Sequence, residues 1–461
     1  MSQDDLTDLA LLRLDCMAAV GVTDDGLPQD LFMANLVPYN AEGKNYEIDP
    51  VVPFHRFHTI MDEFLSALEA EMGRAIARDV EDTRERAILV SVSYKNKRQQ
   101  LDSLAELKEL ARTSDVEVLD VIWQRPQKLN PKYLMGSGKI KELVILALQK
   151  EATIIIFDQE LSPTQIREIG DITELKVIDR TQLILDIFAN RALSRDGKVQ
   201  VELAQLRYLM PRLTGKGTAM SRLMGGIGGK GPGETKLETD RRRIGNKIAS
   251  LEKALKLLSR GRVERRKRRV ARGVPIISIV GYTNAGKSTL LNALTGSSAL
   301  VEDKLFATLD TTSRRLRFPR EREVVVTDTV GFIDHLPKEL MRAFKATLEE
   351  MEDADLLLHL VDVSDPAFEE RIETVEKILK NIGLAEIPRL LVLNKSELVE
   401  PVIAANLERR FKAIAVTALD KSTLTGLIDA LSIRLWPDDV VKEAAIESGE
   451  TGEAGEAGLS N

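Results

Sequence analysis

The stretch GYTNAGKS, Gly281 to Ser288, constrains this chain more than any other feature. It fits G-x-x-x-x-G-K-[ST] at every fixed position and lies between an apolar run, PIISIV, and a helix-like run, STLLNALTG. Each part has a physical task. Gly281 and Gly286 let the backbone curl until successive N–H groups face one centre, a cradle for phosphate oxygens. Lys287 brings a positive charge to the β- and γ-phosphates, the helix amino terminus adds its dipole, and Ser288 offers a hydroxyl to Mg²⁺. A glycine turn that merely precedes a lysine needs neither the strand nor the helix. The loop therefore calls for a strand–loop–helix unit inside an α/β domain.

Further motifs narrow the nucleotide to GTP. Asp328-Thr329-Val330-Gly331 follows the strand-like EVVVT, where the aspartate would hold Mg²⁺ through water and the Gly331 N–H would meet the γ-phosphate. D-x-x-G is common by itself and gains weight from its place at a strand end. Asn394-Lys395-Ser396-Glu397 follows RLLVL and is similar to the guanine-reading N-K-x-D. Asn394 would bond the purine, Lys395 would pack over the loop, and the acid would accept from the guanine N1–H and exocyclic amine. That acid is Glu397, one methylene longer than aspartate with the charge retained, so guanine is favoured over adenine. Thr417-Ala418-Leu419 would meet the base from the other side. In LFATLD, Thr308 leads as the threonine that completes the Mg²⁺ shell. Thr311 and Thr312 compete with it, and an ordinary loop threonine stays open.

A chain of 461 residues exceeds one hydrophobic core and calls for two or three domains. With 43% apolar and 30% charged residues it reads as globular, and no apolar run approaches the ~20 residues of a membrane span. The acidic start MSQDDLTD lacks the layout of a signal peptide, and the single Cys16 allows no internal disulfide. These features give the cytoplasm as the expected compartment.

Along the chain, residues 1–85 show an apolar helical segment (Leu9, Leu12, Leu14, Met17), an Asp/Gly/Pro-rich loop and a helix from Phe57 to about Ala77, with no motif of known role. Residues 86–195 alternate strand and helix, the pattern of a small parallel sheet: AILVSVS, VEVLDVI, TIIIFD and KVID are its strands. Residues 196–270 hold two helices with a/d-like seams, Val199-Leu203-Leu206-Met210 and Ile244-Ile248-Leu251-Leu255-Leu258, expected as an antiparallel hairpin. Gly225 to Glu234 forms its glycine-rich tip. Residues 271–437 resume strand–helix alternation around the P-loop, and the acidic stretch 438–461 reads as disordered. The expected class is α/β: a small parallel α/β amino-terminal domain, a helical hairpin, then a P-loop domain with a mostly parallel sheet.

Taken together, these segments resemble the HflX GTPases of the Obg-HflX group. The resemblance is carried by FATLD (Phe306, Ala307, Thr308, Leu309, Asp310), DTVGFI, GYTNAGKST, VIDRTQLILDIFANRA, VELAQLRYLMPRL, GGIGGKGPGETKLETDRRR and HLPKELMRAFKATLEE, spanning about residues 87 to 436. It implies GTP hydrolysis to GDP, Mg²⁺ on Ser288 and Thr308, and nucleotide contacts from Gly281, Tyr282, Thr283, Asn284, Ala285 and Gly286 onward. It further implies association with the large (50S) ribosomal subunit and its rRNA, in ribosome splitting or rescue under stress, by a chain expected to be monomeric. Two departures stand out, Glu397 for the usual aspartate and Thr311 where proline is usual, and a third is expected, the lack of a folded domain after Pro437.

Phe332 follows Gly331 where many GTPases carry a water-orienting glutamine, so intrinsic turnover should be slow and catalysis should rest on Lys287, Thr308, the Gly331 backbone, a cation or a partner. Asn284 could hold K⁺ beside the phosphates, and equally could be a loop asparagine that tolerates positive φ. Gly136-Ser137-Gly138-Lys139 lacks the rest of a P-loop and reads as a helix start. His55 and His58 have no partners at metal spacing. Net charge is −7, yet SRGRVERRKRRVARG is a concentrated basic run, and Arg222, Lys230, Lys236 and Arg241 to Arg243 flank the glycine tip. That tip is either a connector or an rRNA-phosphate contact. Two other function classes fit less well: an RNA-binding module whose nucleotide site only senses, and an ATP-using RNA remodeller.

Overall fold

The computed structural model describes residues 1–2, 5–6, 8–9, 14–37, 46–77, 84–213, 236–270, 273–296, 305–306, 312–318, 322–334, 341 and 349–437, with backbone alone for 71–77, 236–238 and 259–270. The expected tail, the glycine tip and the segment Ala307 to Asp310 lie outside the described residues. The chain divides into two compact units, residues 1–186 with 211–223, and residues 187–210 with 224–461.

The first unit opens with a feature the sequence reading missed. Strands β1 (Cys16–Val22), β2 (Pro28–Leu36), β3 (Tyr46–Ile48) and β4 (Val52–Pro53) form an antiparallel sheet with β2 against all three others. The expected helix through Met17 is therefore wrong at its end: helical residues reach Leu9, while Met17 pairs with Ala34 in a strand ladder. Pairing with the apolar LFMANL strand overrides the helical preference of Met and Ala. The Asp/Gly loop becomes the hairpin turn, closed by Thr23 N–H to Leu27 O (2.9 Å) with Gly26 at φ 79°. Helix α1 (Met61–Ala77) follows, starting later than the expected Phe57.

Next come β5 (Arg86–Val92), α2 (Lys97–Thr113), β6 (Glu117–Gln124), α3 (Ser137–Gln149), β7 (Ile154–Phe157), α4 (Pro163–Thr173), β8 (Lys176–Asp179) and α5 (Arg180–Arg191). The strands form a wholly parallel sheet in the order β6-β5-β7-β8. The strand β7, Ile-Ile-Ile-Phe, is buried throughout, as a strand covered on both faces requires. Local signals start the helices: Asn96 caps α2, Ser162 and Gln165 form a capping box on α4, and Gly136 is the N-cap of α3. The strand order reverses between β5 and β7, where doubly wound sheets commonly hold ligands. Here the chain fills that place itself. Asp158 accepts from Arg180 (2.7 Å), Ser103 (2.8 Å) and Ser91 (3.3 Å), and Arg180 also pairs with Glu106. The three charged side chains are 8% exposed or less.

In the second unit α6 (Arg195–Leu209) packs along α7 (Lys236–Val270), with ion pairs Arg207–Glu252 (2.7 Å) and Lys247–Glu202 (3.1 Å). On α7 the expected seam holds, with Leu251 buried and Ile244, Ile248, Leu255 and Leu258 half-buried. On α6 it is rotated. Gln200, Val201, Leu203, Ala204 and Tyr208 are buried while Met210 is exposed, because polar Gln200 and Tyr208 carry the buried stripe and no apolar period marks them.

The P-loop domain contains β9 (Ile276–Gly281), α8 (Lys287–Thr295), β10 (Thr312–Phe318), β11 (Arg322–Asp328), β12 (Leu356–Asp362), α9 (Phe368–Asn381), β13 (Arg389–Asn394), α10 (Pro401–Phe411), β14 (Ile414–Ala415) and α11 (Thr425–Leu435). Its six-stranded sheet runs β10-β11-β9-β12-β13-β14, parallel except for the β10–β11 pair. Strand β10 was not expected: TSRRLRF reads as polar, yet an edge strand tolerates arginines facing water. Ile277, Ile279, Leu290, Val326, Leu358 and Val392 lie in the core that fixes the P-loop strand between β11 and β12. Among the described residues, no helix is long and apolar enough to cross a membrane.

Candidate functional site

The sheet brings the predicted motifs to one edge. β9, β11 and β13 end at Gly281, Asp328 and Asn394, and β12, which ends at Asp362, lies between β9 and β13. Gly281 follows from packing: a Cβ there would lie 2.2 Å from the Leu360 carbonyl oxygen on β12. Gly286, at φ 88°, is required twice, because a Cβ would also meet Asn394 Nδ2 at 2.4 Å.

On the phosphate side, Lys287 is 7% exposed and its Nζ donates to the Tyr282 carbonyl at 2.8 Å. Burial pushes its ammonium down to about 8, opposed by the Asp328 carboxylate. A buried cation held by one neutral carbonyl is suited to an incoming anion. Ser288 donates to Asp328 Oδ2 at 2.6 Å, so a hydroxyl and a carboxylate meet at the first turn of α8. Such hard oxygen donors are the set Mg²⁺ takes. The Thr283 hydroxyl is buried without a hydrogen-bond partner among the described residues. Asn284 is exposed and has φ 61°, the conformation that asparagine tolerates.

The DTVG segment is fastened to the P-loop. Phe332 N–H donates to the Gly281 carbonyl (3.1 Å), Thr283 N–H donates to the Phe332 carbonyl (2.8 Å), and Thr329 donates to the Ile279 carbonyl (2.7 Å). Gly331 lies between these anchors, and a Cβ on it would come 2.8 Å from Thr283 Cγ2 and 3.0 Å from Lys287 Nζ. Only glycine lets this backbone approach the lysine so closely. The Phe332 side chain is 2% exposed, a core residue rather than a handle on water. Val330 is buried beside it.

On the base side, Asn394 uses both ends of its amide within the protein. Its Nδ2 donates to the Ala285 carbonyl (2.8 Å) and its Oδ1 accepts from Ala418 N–H (3.0 Å). It clasps the P-loop to the 417–419 loop, and one N–H and one lone pair remain for a purine. Lys395, at φ 62°, pairs with Asp362 at 2.6 Å. Glu397 is exposed and accepts from the Thr417 hydroxyl at 2.7 Å, and Ser396 Oγ lies 3.2 Å from the same hydroxyl. Leu419 is 81% exposed.

Of the threonine candidates, Thr308 and Thr311 lie outside the described residues, with Ala307, Leu309 and Asp310. Thr312 begins β10 in ladder register with Asp328. Phe306 is buried at φ 55° with its ring 4.6 Å from that of Phe188, a contact no motif signals. The sequence reading also missed Arg371, which reaches the P-loop from α9, since a lone arginine in a charged helix carries no local signal.

Residues 101–189 match the family described as GTP-binding GTPase N-terminal, residues 191–269 its middle region, and residues 276–395 the 50S ribosome-binding GTPase. The chain is 49% identical to GTPase HflX of Caldanaerobacter subterraneus subsp. tengcongensis over 79% of its own length and 83% of that protein's. Identity to GTPase HflX of Escherichia coli is 44%, over 77% and 84%. A GTP-binding protein from Sulfolobus solfataricus, solved in complex with GDP, aligns at 24% identity and TM-score 0.42, over 76% of this chain and 98% of that one.

Proposed function

Since the chain belongs to the HflX family and is a GTP-binding, GTP-hydrolysing enzyme, we propose that its nucleotide cycle serves the large ribosomal subunit. The observation that carries this reading is the match of residues 276–395 to a 50S ribosome-binding GTPase. It acts in the cytoplasm on rRNA of that subunit, in splitting or rescuing ribosomes.

Within the site, Lys287 and the backbone of residues 281–288 hold the β- and γ-phosphates, with the α8 dipole behind them. Ser288, Asp328 and Thr308 would hold Mg²⁺, and the ion would neutralise charge on the phosphates. The Gly331 N–H meets the γ-phosphate, a role its closeness to Lys287 supports. Asn394 and Glu397 read guanine, with Thr417 and Ala418 closing the other side. Buried Phe332 orients no water, so turnover by the isolated protein is slow and a partner raises it. The test is hydrolysis of GTP and of ATP with and without 50S subunits. GTP-selective turnover that rises with 50S supports the proposal, and GTP turnover indifferent to the subunit removes the ribosomal role.

A further inference from the structure

The geometry points to Arg371 as a positioning residue for GTP hydrolysis, one that holds the segment after Gly331 against the phosphate loop through Tyr282 and Asp334. The Arg371 guanidinium stacks over the Tyr282 ring, 4.1 Å from its centroid, and donates to the Tyr282 hydroxyl at 2.5 Å. It also lies 3.6 Å from an Asp334 carboxylate oxygen and 3.4 Å from one of Asp365. The backbone N–H of Asp334 donates to the same tyrosine hydroxyl at 2.8 Å, and Thr374 donates to the other Asp334 carboxylate oxygen at 2.9 Å. Helix α9 thus grips both partners from two consecutive-turn positions, Arg371 and Thr374.

The consequence falls on Gly331. Upstream it is tied to β11 through Asp328, and downstream through the backbone bonds of Phe332 to Gly281 and Thr283. Two residues beyond those bonds lies Asp334, held by Tyr282, Thr374 and Arg371. If that end slips, Gly331 leaves its place beside Lys287 and the γ-phosphate loses an N–H donor. An arginine serving only α9 would be satisfied by Asp365 on the preceding loop. This one instead reaches Tyr282, 89 residues away in sequence, at the second position of the phosphate loop. Displacements near 1 Å at such a distance from the chemistry cost rate rather than fold. The inference rests on the proposed contact between Gly331 and the γ-phosphate.

The test uses the full chain with Arg371→Met, which keeps a stem over the tyrosine, and Arg371→Lys, which restores charge without the fork. Single-turnover hydrolysis and the affinities for GDP and a non-hydrolysable GTP analogue are measured. Turnover in Arg371→Met should fall roughly ten- to a hundredfold. Analogue affinity should fall more than GDP affinity, and Arg371→Lys should recover part of both. Arg371→Met combined with Tyr282→Phe should lose less than the product of the two single losses, because the two side chains share one set of contacts. Wild-type turnover in Arg371→Met overturns the proposal, as does an equal loss of GDP and analogue affinity. Gly331→Ala judges the underlying contact separately: a normal analogue-to-GDP ratio there overturns that contact and this proposal together. A disturbed ratio in Gly331→Ala beside a normal one in Arg371→Met overturns the proposal alone.

Discussion

The Ser288 hydroxyl donates a hydrogen bond to Asp328 across 2.6 Å, joining the first turn of α8 to the end of β11. Two motifs forty residues apart are thereby bonded. A Mg²⁺ ion held by both side chains would take the place of this hydrogen bond. Ser288→Ala should therefore leave the fold intact, weaken Mg²⁺-dependent GTP binding by more than tenfold, and change metal-free binding little. Titrating nucleotide with and without EDTA checks this, and equal losses in the two conditions would count against a metal role for Ser288.

Lys287→Ala should abolish tight GTP binding without lowering the unfolding temperature of the nucleotide-free protein. The ammonium is buried at 7% exposure with one carbonyl for a partner, so its removal takes away a desolvated charge and no apolar core. A melting curve and a binding isotherm on the same sample decide it. Unchanged GTP affinity would sink the assignment.

The same burial makes binding depend on pH. Lys287 titrates near 8 in the free protein, below its ordinary value, and phosphate contact restores the charged form. Affinity should therefore be flat below that pH and fall by about tenfold per unit above it, with one proton taken up on binding. In the nucleotide-free protein the depressed pKa has the opposite sense: its unfavourable contribution to stability is full below about 8 and lifts as pH rises toward the unfolded value. Calorimetry at pH 8.5 in two buffers of different ionisation enthalpy measures the proton directly.

Glu397 keeps its place because Thr417 donates to it at 2.7 Å. Thr417→Val should reduce preference for GTP over ATP by roughly tenfold, the scale of one lost hydrogen bond to a charged group. Glu397→Asp should hold or improve selectivity, since the shorter acid stands nearer the usual pattern. ATP competing as well as GTP against the unaltered protein would show that the glutamate does not read the base.

That the P-loop, D-x-x-G and N-K-x-E meet at one sheet edge was legible because each lies at a strand end. What escaped has long-range causes. Arg371 meets Tyr282 only because α9 packs beside the P-loop, and Phe188 meets Phe306 across a gap no period spans. Met17, expected at the end of a helix, lies in strand β1 because its composition suits both and only the ladder with β2 decides. Strand β10 was hidden by arginines that an edge position permits. Gln200 and Tyr208 rotated the α6 seam because buried polar side chains leave no mark in an apolar pattern.

The Arg180 cluster gives a stability prediction. Asp158 and Glu106 are nearly buried and share Arg180, so Arg180→Met strands two carboxylates and should cost about 3–5 kcal/mol. Replacing all three charges by apolar side chains should restore most of that stability. Urea unfolding of the single and triple variants compares the two. A triple variant no more stable than the single one would mean that the cluster contributes more than charge pairing.

The last prediction concerns the basic turn of α7. Arg241, Arg242 and Arg243 are exposed at the start of that helix, and Arg243 stays 78% exposed beside Asp240, 3.9 Å away. They share one sign of charge with Arg222, Lys230 and Lys236 in the sequence, and such charge attracts phosphate whatever the base sequence. The tip itself lies outside the described residues, so the arginines supply the testable part of this surface. Charge reversal at the three positions should weaken 50S binding while leaving GTP affinity unchanged, because they lie on α7 and the nucleotide motifs lie on the β9–β13 edge. The weakening should be largest at low ionic strength and shrink in high salt, where screening has already suppressed the attraction. The dependence of log affinity on log salt should also flatten by nearly one unit for each phosphate that the variant no longer neutralises. Sedimentation with 50S across a salt series reads both quantities. Reversal that leaves the salt slope unchanged would remove these arginines from the ribosomal interface.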